Sequence, residues 1–204
     1  MIAFLSIMAC RPDPGAPEYP TADDLPNWGG PDPYEEGEER LSLGIFYEMG
    51  SSEAYVIDNS ANFFYIWSNT FSLFTSDQRI EGTISHEVVV GTLGWWGGGV
   101  FWSEEVNLGE WTTMHVSLKT GDERLSAIEI GIGQGDGEII HWFPAEEYGF
   151  VYDNEWNHLL LPLSVAWDAL DSSRIQMPFN IRGSGPEGAS LLIDNVYFTK
   201  EDEV

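Results

Sequence analysis

From Leu41 onward, apolar and polar residues alternate in short runs, and this alternation restricts the fold more than any other feature of the chain. A period of two is that of a half-buried β-strand, in which successive side chains point to opposite faces. Three runs show it clearly, "MHVSL", "IEIGIG" and "IQMPFNIR". Their predicted core-facing residues are Met114, Val116 and Leu118; Ile128, Ile130 and Ile132; and Ile175, Met177, Phe179 and Ile181.

Turn signals separate these runs, as in "GQGDGE", "YDNE" and "GSGPEG". No long segment keeps an apolar period of 3.6 residues, and "VAWDALDSS" has room for only one or two helical turns. Many short strands in one domain predict an all-β fold, an antiparallel β-sandwich of the jelly-roll kind. We place this domain at residues 41–200, with an acidic tail at 201–204.

Residues 11–40 differ sharply from the domain that follows. They hold seven of the eleven prolines and nine acidic residues. Proline stiffens an extended chain, and like charges swell it. We therefore expect a disordered linker without a core of its own.

The linker follows a mostly apolar segment, residues 1–10, that ends in Cys10, the only cysteine of the chain. The segment is too short to span a bilayer and is typical of a signal-peptide apolar region. Ile7-Met8-Ala9-Cys10 resembles the bacterial lipobox, in which the cysteine receives lipid. The resemblance implies an exported lipoprotein anchored at Cys10 to the outer membrane or cell surface. The alternative is a cleaved or disordered hydrophobic end with an inert thiol.

The charge of the chain excludes several partners. The formal net charge is −26, from 34 acidic residues against 8 Lys and Arg. Nucleic acid binding requires clustered cations, which are missing, and an anionic membrane surface would repel the chain. Membrane contact is expected only through the lipid anchor. A neutral glycan or a cation such as Ca²⁺ remains compatible, and we expect a monomer.

The C-terminal half resembles a known family. "LLIDNVYF" (191–198) is similar to the closing strand of galactose-binding-like β-jelly-roll carbohydrate-binding modules. "YDNEWNHLLLPLS" and "LDSSRIQMPF" resemble the segments that precede it in such modules. The resemblance implies a non-catalytic domain that binds a polysaccharide through a concave sheet face. It also implies a structural Ca²⁺ held by Asp194 and Glu48, since Ca²⁺ prefers hard oxygen ligands. The alternative for Asp194 is a carboxylate that accepts backbone N–H bonds.

The outward-facing residues of the predicted strands are the candidate ligand contacts. They are polar and able to pair with sugar hydroxyls, beside a shallow floor expected at Gly131 and Gly133. The polar candidates are His115, Glu129, Gln176, Asn180 and Arg182.

Aromatic side chains are the second group of candidates, because a flat ring can stack on the apolar face of a sugar. In "TLGWWGGGVFW", Trp95 and Trp96 must point to opposite faces of a strand, so only one of them can enter the core. Gly97–Gly99 would let a ligand approach the backbone beside the other. Trp142 is a third candidate for stacking, whereas Trp67 and Trp111 are predicted to lie in the core.

Other functions have weaker support in the sequence. Glycoside hydrolysis requires two carboxylates flanking the bond, and Glu129 is the best single candidate. The four histidines show no zinc-binding spacing, and no G-x-S-x-G or P-loop motif occurs. The alternatives to glycan binding are an adhesive or structural surface lipoprotein that binds protein, and a glycoside hydrolase or polysaccharide lyase.

Overall fold

The computed structural model describes residues 39–44, 46, 53–55, 61–135 and 139–200. The predictions for Cys10, for the linker up to residue 38, for Glu48 and for the acidic tail therefore lie outside the described residues. Arg40, predicted to end the linker, is instead buried at the start of the first strand. The described part of the chain forms twelve strands. They are β1 Arg40–Leu43, β2 Glu53–Tyr55, β3 Asn62–Ile66, β4 Phe71–Ser76, β5 Ser85–Val90, β6 Trp95–Trp102, β7 Thr113–Lys119, β8 Ser126–Gln134, β9 Ile139–Pro144, β10 Asn157–Pro162, β11 Ile175–Ser184 and β12 Ser190–Thr199.

The strands form two sheets, which confirms the predicted all-β sandwich. The five-stranded sheet has the order β3-β6-β11-β8-β9, and every pair in it is antiparallel. The seven-stranded sheet has the order β10-β7-β12-β1-β2, and β5 joins β12 and carries β4 at its other edge. In this sheet only β1 and β2, among the strands described, run parallel.

The core lies between the sheets and follows the alternation of the sequence. Met114, Val116 and Leu118 of β7 are buried with Ile128, Ile130 and Ile132 of β8 and with Ile175, Phe179 and Ile181 of β11. Met177 is buried as predicted, but the face predicted for it is wrong, because it does not join this core cluster. The pairing of β11 with β8 shifts on both sides of Met177, and this bulge turns its side chain toward Gly133 on the opposite face.

Helical structure is confined to short turns in the described residues. The one α-helix there is α1, Leu163–Trp167, within the segment predicted to make one or two turns. Three 3₁₀ turns, Trp67–Asn69, Ala145–Tyr148 and Ser172–Arg174, connect strands. Across the described ranges, no helix has the length and apolar character that a membrane crossing requires.

Candidate functional site

Strand register decides which side chains share the outer face of the five-stranded sheet. Arg182 of β11 pairs with Gly97 of β6 on one side and with Glu129 of β8 on the other. Paired residues in a ladder point to the same face, so Arg182 and Glu129 stand side by side, away from the core. This face carries most of the ligand contacts that the sequence predicts.

Six aromatic side chains of the described residues lie on this face, and we call them the aromatic platform: Phe63, Tyr65, Trp67, Trp95, Phe101 and Trp142. Three of them are exposed, Phe63 to 36%, Trp95 to 42% and Tyr65 to 54%. Large aromatic groups left in solvent on one sheet face are informative, because such patches often mark binding sites.

The side chains of Trp95 and Trp96 point to opposite faces of β6, as their adjacent positions in a strand require. Trp95 faces outward, and Trp96 is fully buried in the core, edge-on to Phe71 with ring centroids 6.1 Å apart. The indole of Trp96 also occupies the space where a side chain at Gly183 would stand. The prediction of Trp96 as a ligand contact is therefore corrected, since a ring with no accessible surface cannot stack on a sugar.

The glycines on this face hold tryptophan rings and leave no bare floor. A Cβ atom at Gly97 would lie only 2.4 Å from Cε3 of Trp67, and one at Gly131 only 2.8 Å from Cε3 of Trp142. Each ring thus packs against a glycine of the sheet, and the two rings are nearly perpendicular, with their centroids 6.0 Å apart. The expected open floor at Gly97–Gly99 and Gly131 is corrected, because long-range side chains fill it.

Sequence reasoning misplaced Trp67 and missed Phe63 and Tyr65. Tyr65 pairs with Gly99 and Phe63 with Phe101, so both point outward, while Phe64 and Ile66 pack against the core. The signal was present, because Phe63, Tyr65 and Trp67 share the same parity along the chain. The unbroken apolar run "FFYIW" hid this alternation.

Arg182 is held in place by two of its neighbours. Its Nε donates to Oε2 of Glu129 at 2.6 Å, and the guanidinium carbon lies 4.0 Å from the ring centroid of Trp142. The pair is half-buried, with side-chain exposures of 42% for Arg182 and 26% for Glu129. A guanidinium stacked on an indole and bonded at one edge has a defined plane, so its other donors have fixed directions.

A pocket of about 270 Å³ opens beside this pair. Trp67, Trp95, Glu129, Arg182 and Ser184 line it, together with Trp96, Ala127 and Gly183. Ala127 adopts the left-handed conformation with φ 49°, at a shift of register between β8 and β11. Such strain in a residue with a side chain is often found at binding sites, where the surrounding structure enforces it.

Asn180 and Gln176 do not join this pocket. Asn180 is fully buried, and its Nδ2 donates to the carbonyls of Met177 and Gly131 at 3.2 and 3.4 Å. Its predicted contact with a ligand is therefore corrected to a structural role beneath the platform. Gln176 is half-buried, six residues before Arg182, which is about 20 Å along a strand.

His115 lies on the other sheet, so its predicted place beside Arg182 is corrected. It is buried on β7, stacked on Tyr197 with ring centroids 4.2 Å apart. Its Nδ1 lies 3.0 Å from Nε2 of His158, whose Nδ1 lies 2.8 Å from Oγ of Ser117. Burial lowers the pKa of His158 to about 4. Burial, with the charges of His158 and Arg40, lowers the pKa of His115 to about 3.

Asp194 is buried on β12, and its carboxylate accepts three backbone N–H bonds. Oδ2 accepts from Ile80 at 2.6 Å and from Glu81 at 3.4 Å, and Oδ1 accepts from Asn195 at 2.9 Å. This is the alternative to a metal that the sequence left open. The described residues contain no group of three or more His, Cys, Asp or Glu that could hold a metal ion.

Comparison with known proteins gives structural neighbours only. The sequence matches no protein-family model and no curated protein. The fold is similar to the family 30 carbohydrate-binding module of the cellulosomal cellulase Cel9D-Cel44B of Clostridium thermocellum. That likeness has a TM-score of 0.55 and 15% identity over 72% of this chain and 96% of the module.

Two further structures are similar. A second family 30 module matches with a TM-score of 0.53 and 15% identity, covering 68% of this chain and 91% of that one. A family 11 module from Clostridium thermocellum, in complex with a β-1,3-1,4-mixed-linked tetrasaccharide, matches with a TM-score of 0.47 and 13% identity over 69% and 89%. At these identities the likeness to the two family 30 modules shows the fold alone, a β-sandwich.

Proposed function

We propose that this chain is a non-catalytic module that binds a polysaccharide through the aromatic platform. The observation that carries the proposal is the outer face of the five-stranded sheet. There Phe63, Tyr65 and Trp95 are exposed beside a half-buried Arg182–Glu129 pair. A pyranose has apolar faces that stack on aromatic rings and hydroxyl groups that pair with polar side chains, and this face offers both kinds of contact.

The ligand expected on this face is an uncharged polysaccharide. The net charge of −26 disfavours polyanions through long-range repulsion. The fold supports the same proposal, because sandwiches of this type are found as carbohydrate-binding modules in other proteins. Fold alone does not fix function, so the proposal depends on the side chains of the platform.

Affinity electrophoresis against a panel of soluble polysaccharides tests the proposal. The panel contains mixed-linkage β-glucan, xyloglucan, galactomannan and glucomannan, all of which carry free C6 hydroxyl groups, with bovine serum albumin as the unretarded control. We expect at least one of these polymers to retard the wild-type protein, and Trp95→Ala to reduce the retardation with little change in melting temperature. Retardation by none of them would contradict the proposal. Release of reducing sugar would instead indicate an enzyme.

We further propose that Cys10 is lipidated and that the chain is exported and anchored to the outer membrane or cell surface. The support is the apolar segment that ends at Cys10, followed by the proline-rich acidic linker. Cys10→Ser should move the protein from the membrane fraction to the soluble fraction. Unchanged fractionation would contradict the anchor.

A structural Ca²⁺ held by Asp194 and Glu48 is also a proposal. Its support is the position of two buried carboxylate residues, Asp194 and Glu81, next to each other in the fold, because a cation would reduce the repulsion between two buried negative charges. An ion bound only by the folded state would raise the melting temperature with its concentration. After exhaustive dialysis against EDTA, adding millimolar Ca²⁺ should therefore raise the melting temperature, and equal values would contradict the site.

A further inference from the structure

We propose that Glu129 and Arg182 form a charge-neutral clamp that makes the platform select uncharged sugars over sugars that carry a carboxylate. In this clamp, the terminal nitrogens of Arg182 donate to sugar oxygens, and Oε1 of Glu129 accepts from a hydroxyl group. The inference deepens the proposed function and rests on it, and its test is arranged so that the two can fail separately.

Several hydrogen-bonding atoms of the clamp have no partner within the described residues. Arg182 uses its Nε to reach Oε2 of Glu129, and neither Nη atom makes a hydrogen bond within the described part of the chain. Oε1 of Glu129 makes none there either. A guanidinium has five N–H donors in one plane, so the remaining four project from a group already fixed by Trp142. The half-buried N–H donors of Arg182 and the acceptor oxygen of Glu129 are thus only partly used. They are suited to a ligand that can both accept and donate hydrogen bonds, as a sugar diol does.

The surroundings of the clamp match the size and shape of a sugar ring. The pocket beside it has a volume of about 270 Å³, which is enough for one pyranose, and Trp67 and Trp95 line its walls. Trp67 lies over Gly97, the residue that pairs with Arg182 in the neighbouring strand. A ring bound here would therefore contact indole surface while its hydroxyls reach Arg182 and Glu129.

The negative charge of Glu129 explains why the clamp should select uncharged sugars over anionic ones. Arg182 is the cation of this face, and an isolated arginine in a sugar site would attract a uronate carboxylate through paired N–H bonds. Other cations of the described residues are paired away from this face, including Arg174 with Glu105 and Arg124 with Asp122. Glu129 neutralises the charge of Arg182. Its carboxylate would also repel the carboxylate of an anionic sugar that entered the pocket. It therefore excludes anionic sugars from a face that carries an arginine.

The test compares two polymers that differ only in charge. They are the neutral polysaccharide that most strongly retards the wild-type protein in the panel, and the same polysaccharide oxidised at C6 to the uronate. Wild-type protein and Glu129→Gln are compared by isothermal titration calorimetry, and the ratio of the two affinities is the readout. Because one unit charge is removed within hydrogen-bonding range, we expect Glu129→Gln to lower the neutral-to-anionic ratio at least about five-fold.

Glu105→Gln is the matched control. Glu105 pairs with Arg174 at 2.7 Å, as Glu129 pairs with Arg182, but lies in the loop after β6 and outside the pocket. It changes the net charge by the same amount, so its ratio should equal that of the wild type. Arg182→Lys is a second variant, which keeps the neutral pair but loses the planar fork. It should weaken binding of the neutral polymer and leave the ratio unchanged.

The outcomes separate the two proposals. No binding of any neutral polysaccharide by the wild type overturns the proposed function. Binding by the wild type, with Glu129→Gln altering the ratio no more than Glu105→Gln, overturns the clamp and leaves the proposed function standing. A lowered ratio in Glu129→Gln alone supports the clamp. Melting temperatures of all variants establish that each one is folded.

Discussion

The outer faces of the two sheets contrast in what they expose. On the five-stranded sheet, Tyr65 and Trp95 stand in solvent beside the Arg182–Glu129 pair. On the seven-stranded sheet, His115 and Tyr197 are buried, stacked on each other in a network of hydrogen bonds. Both sets of residues point away from the core of the sandwich. An outward position on a strand therefore does not establish that a side chain is available to a ligand.

The contrast also separates two uses of polar groups. His115 and His158 of the seven-stranded sheet bond to each other and to Ser117 and Thr199, so they hold the fold together. Arg182 and Glu129 leave hydrogen-bonding capacity unused. Only the Arg182–Glu129 pair can form new hydrogen bonds with a ligand without breaking existing ones.

The largest expected effect on stability comes from the neighbouring residues Trp95 and Trp96, which lie on opposite faces of the same strand. Trp96→Ala should lower the free energy of unfolding by about 3–5 kcal/mol, because it removes a fully buried ring from the core. Trp95→Ala, on the exposed side, should change it by less than about 0.5 kcal/mol. Urea unfolding of the two variants measures both values, and similar losses would show that the two rings do not differ in burial.

Trp95 and Trp96 also show what the sequence could predict. A period of two is a local property, so the strands and most core residues could be identified from it. The pairing of distant strands is not local, and for this reason alternation alone predicts one face for His115 and Arg182, although they belong to different sheets. The same limit applies to Gly97, whose space is filled by a ring thirty residues away.

Met177 and Asn180 show a second limit of the pattern. Alternation predicts a core position for Met177 and an exposed position for Asn180. The register shifts of β11 against β8 turn Met177 outward and leave Asn180 buried under the platform. A bulge is set by the contacts of both strands, and nothing in the run "IQMPFNIR" marks it.

Acid should destabilise the face that carries the histidines. The pKa values of His115 and His158 are lowered to about 3 and about 4, whereas the unfolded chain has histidine pKa values of about 6.5. The unfolded state then binds more protons, so stability is complete above pH 6.5 and falls as pH drops toward 4. Between pH 7 and 5 the loss should be about 3–4 kcal/mol.

Urea unfolding at pH 7, 6 and 5 measures this loss. Calorimetric unfolding near pH 5 in buffers of different ionisation enthalpy should also show an uptake of about two protons. Equal stability across this range would indicate that the histidines are solvated, and the contrast between the two faces would then be lost.

Gly97→Ala should disturb the platform more than the core. The new methyl group would lie 2.4 Å from the ring of Trp67, so the ring must leave its place over β6. We expect a loss of about 1–3 kcal/mol in stability, together with altered tryptophan fluorescence and weaker binding. Gly133→Ala is the control on the same face, since its contact with Ile140 is longer, at 3.0 Å. Equal effects of the two substitutions would argue against the packing of Trp67 on Gly97.

The most direct measurement compares Tyr65 with Phe74. Both are aromatic and 54% exposed, but Tyr65 lies on the platform and Phe74 on edge strand β4 of the other sheet. Tyr65→Ala should weaken binding of the polysaccharide found in the panel by roughly ten-fold, as expected for the loss of an aromatic contact worth about 1–1.5 kcal/mol. Phe74→Ala should leave the affinity unchanged. Equal affinities for both variants, or a loss confined to Phe74→Ala, would show that the five-stranded sheet does not carry the binding face.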